Sequence, residues 1–264
     1  MRIAIFSDVH GNLTALKAVL AAIEQEDVGD VVFAGDLCLS GPRPEACVDL
    51  LANYEPEIAG VYGNTDRWID GPPLLSDDIE EEERERWQHV DDVVSWTRER
   101  LPAMDRAWLR ELPFHRRFSP SVNPHDDLFV VHANPVDVNQ VIFPSEERQE
   151  ELYGEVRQKD AELENVLREM MANVLAFGHL HIPFIRHWDD HRLVNVSSVS
   201  MPGDGDPRAK YALFEWDGAD WTVEHRYVEY DVEEEIAAFR ENRPPGWEEA
   251  VASLEEKGMI PQVV

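Results

Sequence analysis

Short apolar runs recur along the first part of the chain, and segments with helical periodicity separate them. Residues 3–6, 31–34 and 58–62 have the length and apolar content of buried strands. Leu13, Leu16, Leu20 and Ile23 follow the first run at helical spacing, and Cys47, Leu50, Leu51 and Tyr54 follow the second. Strands that alternate with helices pair in parallel through right-handed crossovers. The pattern therefore predicts an α/β arrangement around a parallel sheet.

Residues 72–120 differ from the preceding segments in their distribution of charged and apolar residues. Residues 77–86 are almost wholly charged, and Trp87, Val90 and Val94 then recur at helical spacing. This pattern predicts a helical insertion, with the acidic run as a solvated helix face. Because the insertion directly follows the third strand, it is also a candidate lid over the end of that strand.

The second half of the chain resumes with apolar runs at 128–131 and 174–177. A helical stretch at about 145–171 lies between them, with Gly154 or Asp160 as its break. Runs at 184–188, 193–198, 211–216 and 221–230 are closely spaced, which predicts an antiparallel meander. Helices at about 231–258 close the chain. We expect a single domain over residues 1–264.

Residues of types that commonly bind metal ions follow five of these strands, at the point where each strand ends. They are Asp8 and His10, Asp36, Asn64, His132, and His179 with His181. The strand ends of an open sheet line one crevice, so these side chains are expected to converge. Several buried imidazoles beside two carboxylates would be costly without cations to ligate. The sequence therefore predicts a metal site.

Seven ligands are too many for one ion and suit two ions that share a carboxylate. Such a pair can hold a bridging water, lower its pKa and clamp the oxygens of a phosphoryl group, which predicts hydrolysis. Nitrogen and oxygen ligands without thiolate favour divalent transition-metal ions, namely Mn, Fe, Zn, Ni or Co. The sequence does not identify the ion.

The charge balance restricts the partners. The chain has 54 Asp and Glu against 24 Lys and Arg, a formal net charge of −30. A polyanion such as duplex nucleic acid is repelled by this charge. Bound divalent cations still make one pocket attractive to phosphate. A small-molecule phosphoester is therefore the expected partner, and the sequence leaves a homo-oligomer open.

No apolar run approaches the roughly 18 residues of a membrane span, and the two cysteines, Cys38 and Cys47, have no metal-type spacing or disulfide framework. We therefore expect a cytoplasmic protein with no membrane partner.

The order of motifs resembles the calcineurin-like metallophosphoesterase superfamily. The motifs are Asp8-x-His10, Gly35-Asp36, Gly63-Asn64-x-Asp66, His132 and Gly178-His179-x-His181. Finer features, such as His10-Gly11-Asn12 and Gly205-Asp206-Pro207-Arg208-Ala209, resemble its small bacterial and archaeal phosphodiesterase branch, which includes proteins labelled diadenosine-tetraphosphatase-like. The resemblance implies an α/β (α+β) fold, a four-layer αββα sandwich of two mixed β-sheets flanked by helices. The predicted meander would then be the second sheet.

The resemblance also implies roles for individual residues. Asp8, His10 and His181 would hold the first ion, Asn64, His132 and His179 the second, and Asp36 would bridge them. Many members place a leaving-group acid, His, where this chain has Thr65, and Gly where it has Ala133. Since Thr is no acid near neutral pH, either the substrate has a good leaving group, or Asp66, a water or another histidine supplies the proton. Asn12, Arg43 and Arg208 are candidates for substrate contacts, with surface loop positions as the alternative for the arginines.

Two other functions remain open at this stage. One retromer subunit of the same fold is a binding scaffold with part of its ligands replaced, whereas all seven positions carry competent ligands here. Mononuclear hydrolysis of a bond other than a phosphoester is the second alternative, and the Asn ligand and shared carboxylate fit it poorly.

Overall fold

The computed structural model describes residues 1–75 and 79–261, which form strands and helices in alternation. The strands are β1 (Arg2–Phe6), β2 (Asp30–Phe33), β3 (Ala59–Gly60), β4 (His115–Phe118), β5 (Leu128–Val131), β6 (Val174–Phe177), β7 (Phe184–Trp188), β8 (His191–Asn195), β9 (Ala209–Trp216) and β10 (Trp221–Val228). The helices are α1 (Leu13–Ile23), α2 (Pro44–Ala52), α3 (Asn64–Ile69), α4 (Glu81–Arg100), α5 (Ala103–Glu111), α6 (Glu146–Tyr153), α7 (Asp160–Leu167), α8 (Val232–Asn242) and α9 (Trp247–Lys257).

Strand β1 is the centre of the first sheet, whose order is β10-β9-β1-β2-β3. It pairs in parallel with β2 and antiparallel with β9. Ile3 and Ile5 pack against apolar residues of the second sheet, whereas Ala4 and Phe6 pack against helices on the other face. A strand that is buried on both faces has a continuous apolar sequence, which explains the run at the start of the chain.

The second sheet has the order β4-β5-β6-β8-β7 and packs against the first. Helices α1, α2, α4 and α5 contribute to the apolar cluster on the outer face of the first sheet. Helix α7 covers the outer face of the second sheet through Leu163, Val166 and Leu167. The four-layer αββα sandwich of two mixed sheets is therefore confirmed.

The prediction that the C-terminal strands form one antiparallel meander was wrong. Strands β7 and β8 pair as a hairpin, but β8 also pairs in parallel with β6 in the second sheet. Strands β9 and β10 form a hairpin at the edge of the first sheet. Close spacing predicts each hairpin correctly, but it contains no signal for the connection between them, which passes the end of β1 at Ser198 and Val199.

The region predicted as a helical insertion is mostly helical but ends in a strand that the sequence did not reveal. Helices α4 and α5 occupy its centre, and residues 77 and 78 of its acidic run lie outside the described residues. Strand β4 pairs with β5 at the edge of the second sheet and is largely exposed. Its sequence, His-Arg-Arg-Phe, carries the charge typical of an edge strand and lacks an apolar alternation.

Helix α8 forms an ion pair with Arg43, the residue before α2, which joins the C-terminal region to the helices of the first sheet. The Arg43 guanidinium donates to Glu235 and Thr14, and it also lies 3.2 Å from Glu234. The Glu235 side chain is fully buried, and burial raises the pKa of its carboxyl. This network places Arg43 in a structural role.

We expect Arg43→Met to lower the free energy of unfolding by about 3 kcal/mol, because it leaves the Glu235 carboxylate buried without its partner. Thermal unfolding should show a fall in Tm of about 6–12 °C for a chain of this size. The exposed pair between Arg148 and Glu151 on α6 offers a matched control. Arg148→Met should change the unfolding free energy by less than about 1 kcal/mol, and an equal effect of both substitutions would contradict the structural role of Arg43.

No helix within residues 1–75 and 79–261 is sufficiently long and apolar to cross a membrane.

Candidate metal centre

Two groups of three side chains meet at the carboxyl ends of the strands. Asp8, His10 and His181 form the first group, and Asp36, His132 and His179 form the second. Within each group the potential ligand atoms lie within 4.8 Å of one another. Residues that follow four separate strands, β1, β2, β5 and β6, thus converge in one place, as the sequence pattern predicts.

In the first group, side-chain nitrogen and oxygen atoms of His10, His181 and Asp8 lie close together. His10 Nδ1 lies 3.1 Å from the Leu39 carbonyl oxygen, so Nδ1 carries the proton that is donated to it. The unprotonated His10 Nε2 then lies 3.4 Å from His181 Nε2, which is itself 3.0 Å from Asp8 Oδ1. Nitrogen and carboxylate donors that face one another in this way fit a divalent cation.

The second group includes Asn64 as a further donor. His132 Nδ1 donates to the Ala34 carbonyl oxygen at 2.9 Å, so His132 Nε2 faces Asn64 Oδ1 at 3.0 Å and Asp36 Oδ2 at 3.4 Å. Burial opposes a positive charge on this imidazole, but the charge of Asp36 and its hydrogen bond raise the pKa of His132 to about 9. The position therefore favours a positive charge, which a metal ion supplies.

His179 completes the second group as a neutral ring. Its Nε2 lies 3.0 Å from the Asn139 carbonyl oxygen, to which it donates. Burial, together with the neighbouring charge of His132, lowers the pKa of His179 to about 4. A neutral imidazole whose second nitrogen holds the proton keeps the lone pair that a metal ligand needs.

Asp36 lies between the two groups. Its Oδ2 is 3.4 Å from His132 Nε2 and 3.9 Å from His10 Nε2. Burial would raise the pKa of the Asp36 carboxyl, but the charge of His132 and its hydrogen bond hold that pKa well below its usual range. The carboxylate is therefore ionised and central, as a ligand shared by two ions must be.

The backbone of the site is unusual, since five of the candidate ligands have positive φ. They are Asp8 at 57°, His10 at 48°, Asp36 at 62°, His179 at 63° and His181 at 64°. A positive φ is uncommon in residues other than glycine, and such residues are enriched at functional sites. It turns each side chain out of its strand direction and towards the crevice.

Glycines precede several ligands because backbone segments approach the carboxylates closely. A Cβ on Gly63 would lie 1.9 Å from Asp36 Oδ1, and a Cβ on Gly178 would lie 2.2 Å from Asp8 Oδ2. Both distances exclude any side chain. The glycines in the sequence motifs thus leave room for the ligands of neighbouring strands.

Asp66, a candidate for the leaving-group acid, is held behind the site instead. Its carboxylate accepts hydrogen bonds from the backbone N–H groups of Asp36, Leu37 and Gly63 at 2.8–2.9 Å. Burial, and then the charge of Asp36, raise the pKa of Asp66 to about 6. Its oxygens are directed at the loop that carries Asp36, so Asp66 positions this loop, and it is not among the residues that line the cleft. Its role as the leaving-group acid stays a prediction.

The candidates for substrate contacts also lie elsewhere. Asn12 caps α1, where its side chain accepts from the Ala15 N–H, and Arg43 is engaged in the buried ion pair with Glu235. Arg208 pairs with Asp206 and lies over the Tyr227 ring. None of these three side chains lines the cleft over the candidate ligands, and their role in substrate contacts stays a prediction.

The cleft above the two groups has a volume of about 350 Å³. Thr65, Trp68 and Trp87 line it together with five of the seven candidate ligands, namely His10, Asp36, Asn64, His179 and His181. The sequence pattern predicts Trp87 on a helix face of the insertion and indicates no role for Trp68. The spacing of Trp68, four residues after Asn64, was an available signal, because residues four apart share one face of a helix.

A comparison with known families and proteins agrees with this site. The model of the calcineurin-like phosphoesterase superfamily domain matches residues 1–219. An uncharacterised protein of Methanocaldococcus jannaschii is 26% identical over 262 residues, which cover 93% of this chain and 94% of that protein.

Two crystal structures resemble the chain over nearly its whole length. A metallophosphoesterase from Sphaerobacter thermophilus has 28% sequence identity and a TM-score of 0.71, and the match covers 98% of this chain and all of that one. A hypothetical protein from Pyrococcus horikoshii has the same fold, with 20% identity, a TM-score of 0.74 and coverage of 96% and 97%. The family match extends over both candidate ligand groups, and the chain belongs to the calcineurin-like phosphoesterase superfamily.

Proposed function

We propose that this protein is a dinuclear metal-dependent phosphoesterase that hydrolyses phosphodiesters or activated phosphomonoesters. Membership of the superfamily implies divalent metal ions, and the two groups provide two candidate positions for them. The observation that carries the proposal is the place of Asp36, within 3.4 Å and 3.9 Å of imidazole nitrogens from both groups. One carboxylate can thereby serve two ions.

In this proposal each residue has a defined task. Asp8, His10 and His181 hold one ion, Asn64, His132 and His179 hold the other, and Asp36 is shared. Backbone contacts to Leu39 and Ala34 fix the ring orientation of His10 and His132. When bound, the two ions supply electrophilic activation of a phosphoryl oxygen and lower the pKa of coordinated water. Asp66 holds the loop that carries Asp36.

We also propose that the whole chain forms a single domain. Residues 1–264 would form one unit, with the insertion at about 72–120 and the C-terminal helices at about 231–258. Contacts of α8 with α1, and the buried pair of Arg43 with Glu235, support this assignment. From the resemblance to the diadenosine-tetraphosphatase-like branch, the proposal takes only that the substrate is a phosphoester.

Metal analysis combined with a substrate panel tests the proposal. We expect two transition-metal equivalents per chain after reloading with Mn, Fe, Co, Ni or Zn, and hydrolysis of bis-phenyl phosphate or a related diester. Phenyl phosphate, a cyclic nucleotide and a dinucleotide complete the panel. A protein that holds two ions and fails on every ester would favour a binding scaffold, and one equivalent in a fully active sample would defeat the two-metal assignment.

A further inference from the structure

The cleft over the candidate ligands contains a pair of tryptophans. The rings of Trp68 and Trp87 meet edge to face with centroids 6.4 Å apart. Trp68 lies on α3 four residues after Asn64, so the two side chains share one face of the helix and are separated by one turn of about 5.4 Å. The aromatic pair therefore begins one helical turn from a candidate metal ligand, within reach of an organic group attached to a phosphorus atom held there.

The rest of the lining is also largely apolar away from the ligands. Leu39, Val141, Leu180 and Met201 contribute to it beside the two tryptophans. Neither indole is fully buried, and both belong to elements that follow the third ligand motif, α3 and α4. Partly exposed indoles in a concave site are typical of binding surfaces for planar apolar groups.

Among the described residues that line the cleft, none is Lys or Arg. Arg43 is paired with Glu235, and Arg67 lies over the Tyr62 ring and donates to backbone carbonyl groups. The remaining residues of the chain, 76–78 and 262–264, contain no Lys or Arg either. An anionic group beyond the one held by metal ions would find no cation in the cleft, and the net charge of −30 would repel it.

We propose that Trp68 and Trp87 form an aromatic subsite, and that the cleft selects phosphodiesters with an aromatic organic group and no anionic group besides the diester itself. This inference rests on the proposed phosphoesterase function and narrows its substrate class. Polyphosphate esters, which carry several further charges, are excluded by it. The metal ions bind the single negative charge, and the indoles bind the organic group.

Non-hydrolysable diester analogues allow a test by binding alone. Diphenylphosphinate and dimethylphosphinate both carry one negative charge and differ only in the aromatic rings. By isothermal titration calorimetry on the manganese-loaded protein, we expect diphenylphosphinate to bind about 10-fold more tightly than dimethylphosphinate. Bis(4-carboxyphenyl)phosphinate, which keeps the rings and adds two carboxylates, should bind at least about 10-fold more weakly than diphenylphosphinate.

The Trp87→Leu variant should reduce the preference for diphenylphosphinate to about 2-fold, whereas Trp87→Phe should retain most of it. Trp96→Leu is the matched control, because Trp96 lies on the same helix against Arg100 and outside the cleft. An active enzyme in which both phosphinates bind equally, or in which Trp87→Leu has no more effect than Trp96→Leu, would overturn the subsite. A retained aromatic preference without hydrolysis of any diester would overturn the phosphoesterase function and support the subsite.

Discussion

Replacing Asp36 by Asn is expected to lower kcat/KM for an activated phosphodiester by at least about 100-fold. The Asp36 carboxylate lies between the two groups, and an amide at this place brings N–H hydrogens against His132 and His10 in place of a negative charge. We also expect the metal content to fall below two equivalents per chain. Metal analysis after reloading measures this part of the prediction independently of activity.

The substitution is well suited to the backbone of this position. Asp36 has a φ of 62°, and Asn is one of the few residue types that adopt this conformation readily. The Asn Oδ1 can also keep the hydrogen bond from the Thr65 N–H, which is 3.0 Å long. Asp189→Asn is a matched control, because Asp189 has a φ of 49° and lies in the turn between β7 and β8. Two bound ions and full activity in Asp36→Asn would contradict a shared carboxylate.

The convergence of the ligands was predictable because it depends on topology alone. Parallel strands end at one edge of a sheet, so Asp8 and Asp36, which follow β1 and β2, must lie close together. The backbone confirms this, since the N–H groups of Val9 and His10 both donate to the Asp36 carbonyl oxygen. His132 belongs to the second sheet and follows β5, yet the packing of the two sheets brings it to the same place.

The direction of individual side chains was not predictable in the same way. Arg43 precedes α2 and Asp66 lies in the first turn of α3, but the hydrogen bonds that bind them come from distant or backbone partners. Glu235 is 192 residues from Arg43, and the groups that Asp66 accepts from are backbone N–H groups of two loops. Sequence spacing contains no information on the contacts with Glu235, Asp36 and Leu37, because these form only when separate segments pack together. The contact between Gly63 and Asp66 joins residues three apart and is local.

The identity of residue 65 has a consequence for the chemistry. The Thr65 side chain lines the cleft, and no described residue forms a hydrogen bond with its hydroxyl oxygen. Threonine does not release a proton near neutral pH. Asp66, the neighbouring carboxyl, is directed at three backbone N–H groups. In the proposed hydrolysis, a leaving alkoxide would therefore depart without a positioned acid from this motif.

We expect kcat/KM to fall steeply as the departing alcohol becomes more basic. A positioned acid contributes about 10²–10⁴-fold to such a reaction, so Thr65→His should raise kcat/KM for alkyl diesters by up to about 100-fold where the imidazole reaches the leaving oxygen. Activated aryl diesters should gain little, because their leaving groups need no proton. A series of phosphodiesters that differ only in the leaving alcohol measures how kcat/KM depends on the pKa of that alcohol, in the wild-type protein and in Thr65→His.

Two further variants separate proton donation from changes in shape. Thr65→Gln introduces a side chain of about the same volume as His but without an acidic group. It should leave the steep dependence of kcat/KM on the basicity of the leaving alcohol unchanged. Asp66→Asn should lower the activity towards all esters by a similar factor, because Asp66 acts by holding the Asp36 loop through backbone N–H groups. A flat dependence in the wild-type protein, with chemistry shown to be rate-limiting, would mean that an acid is already present. If Asp66→Asn then made the dependence steep, the acid would be Asp66, and its position behind the site would not be its working one.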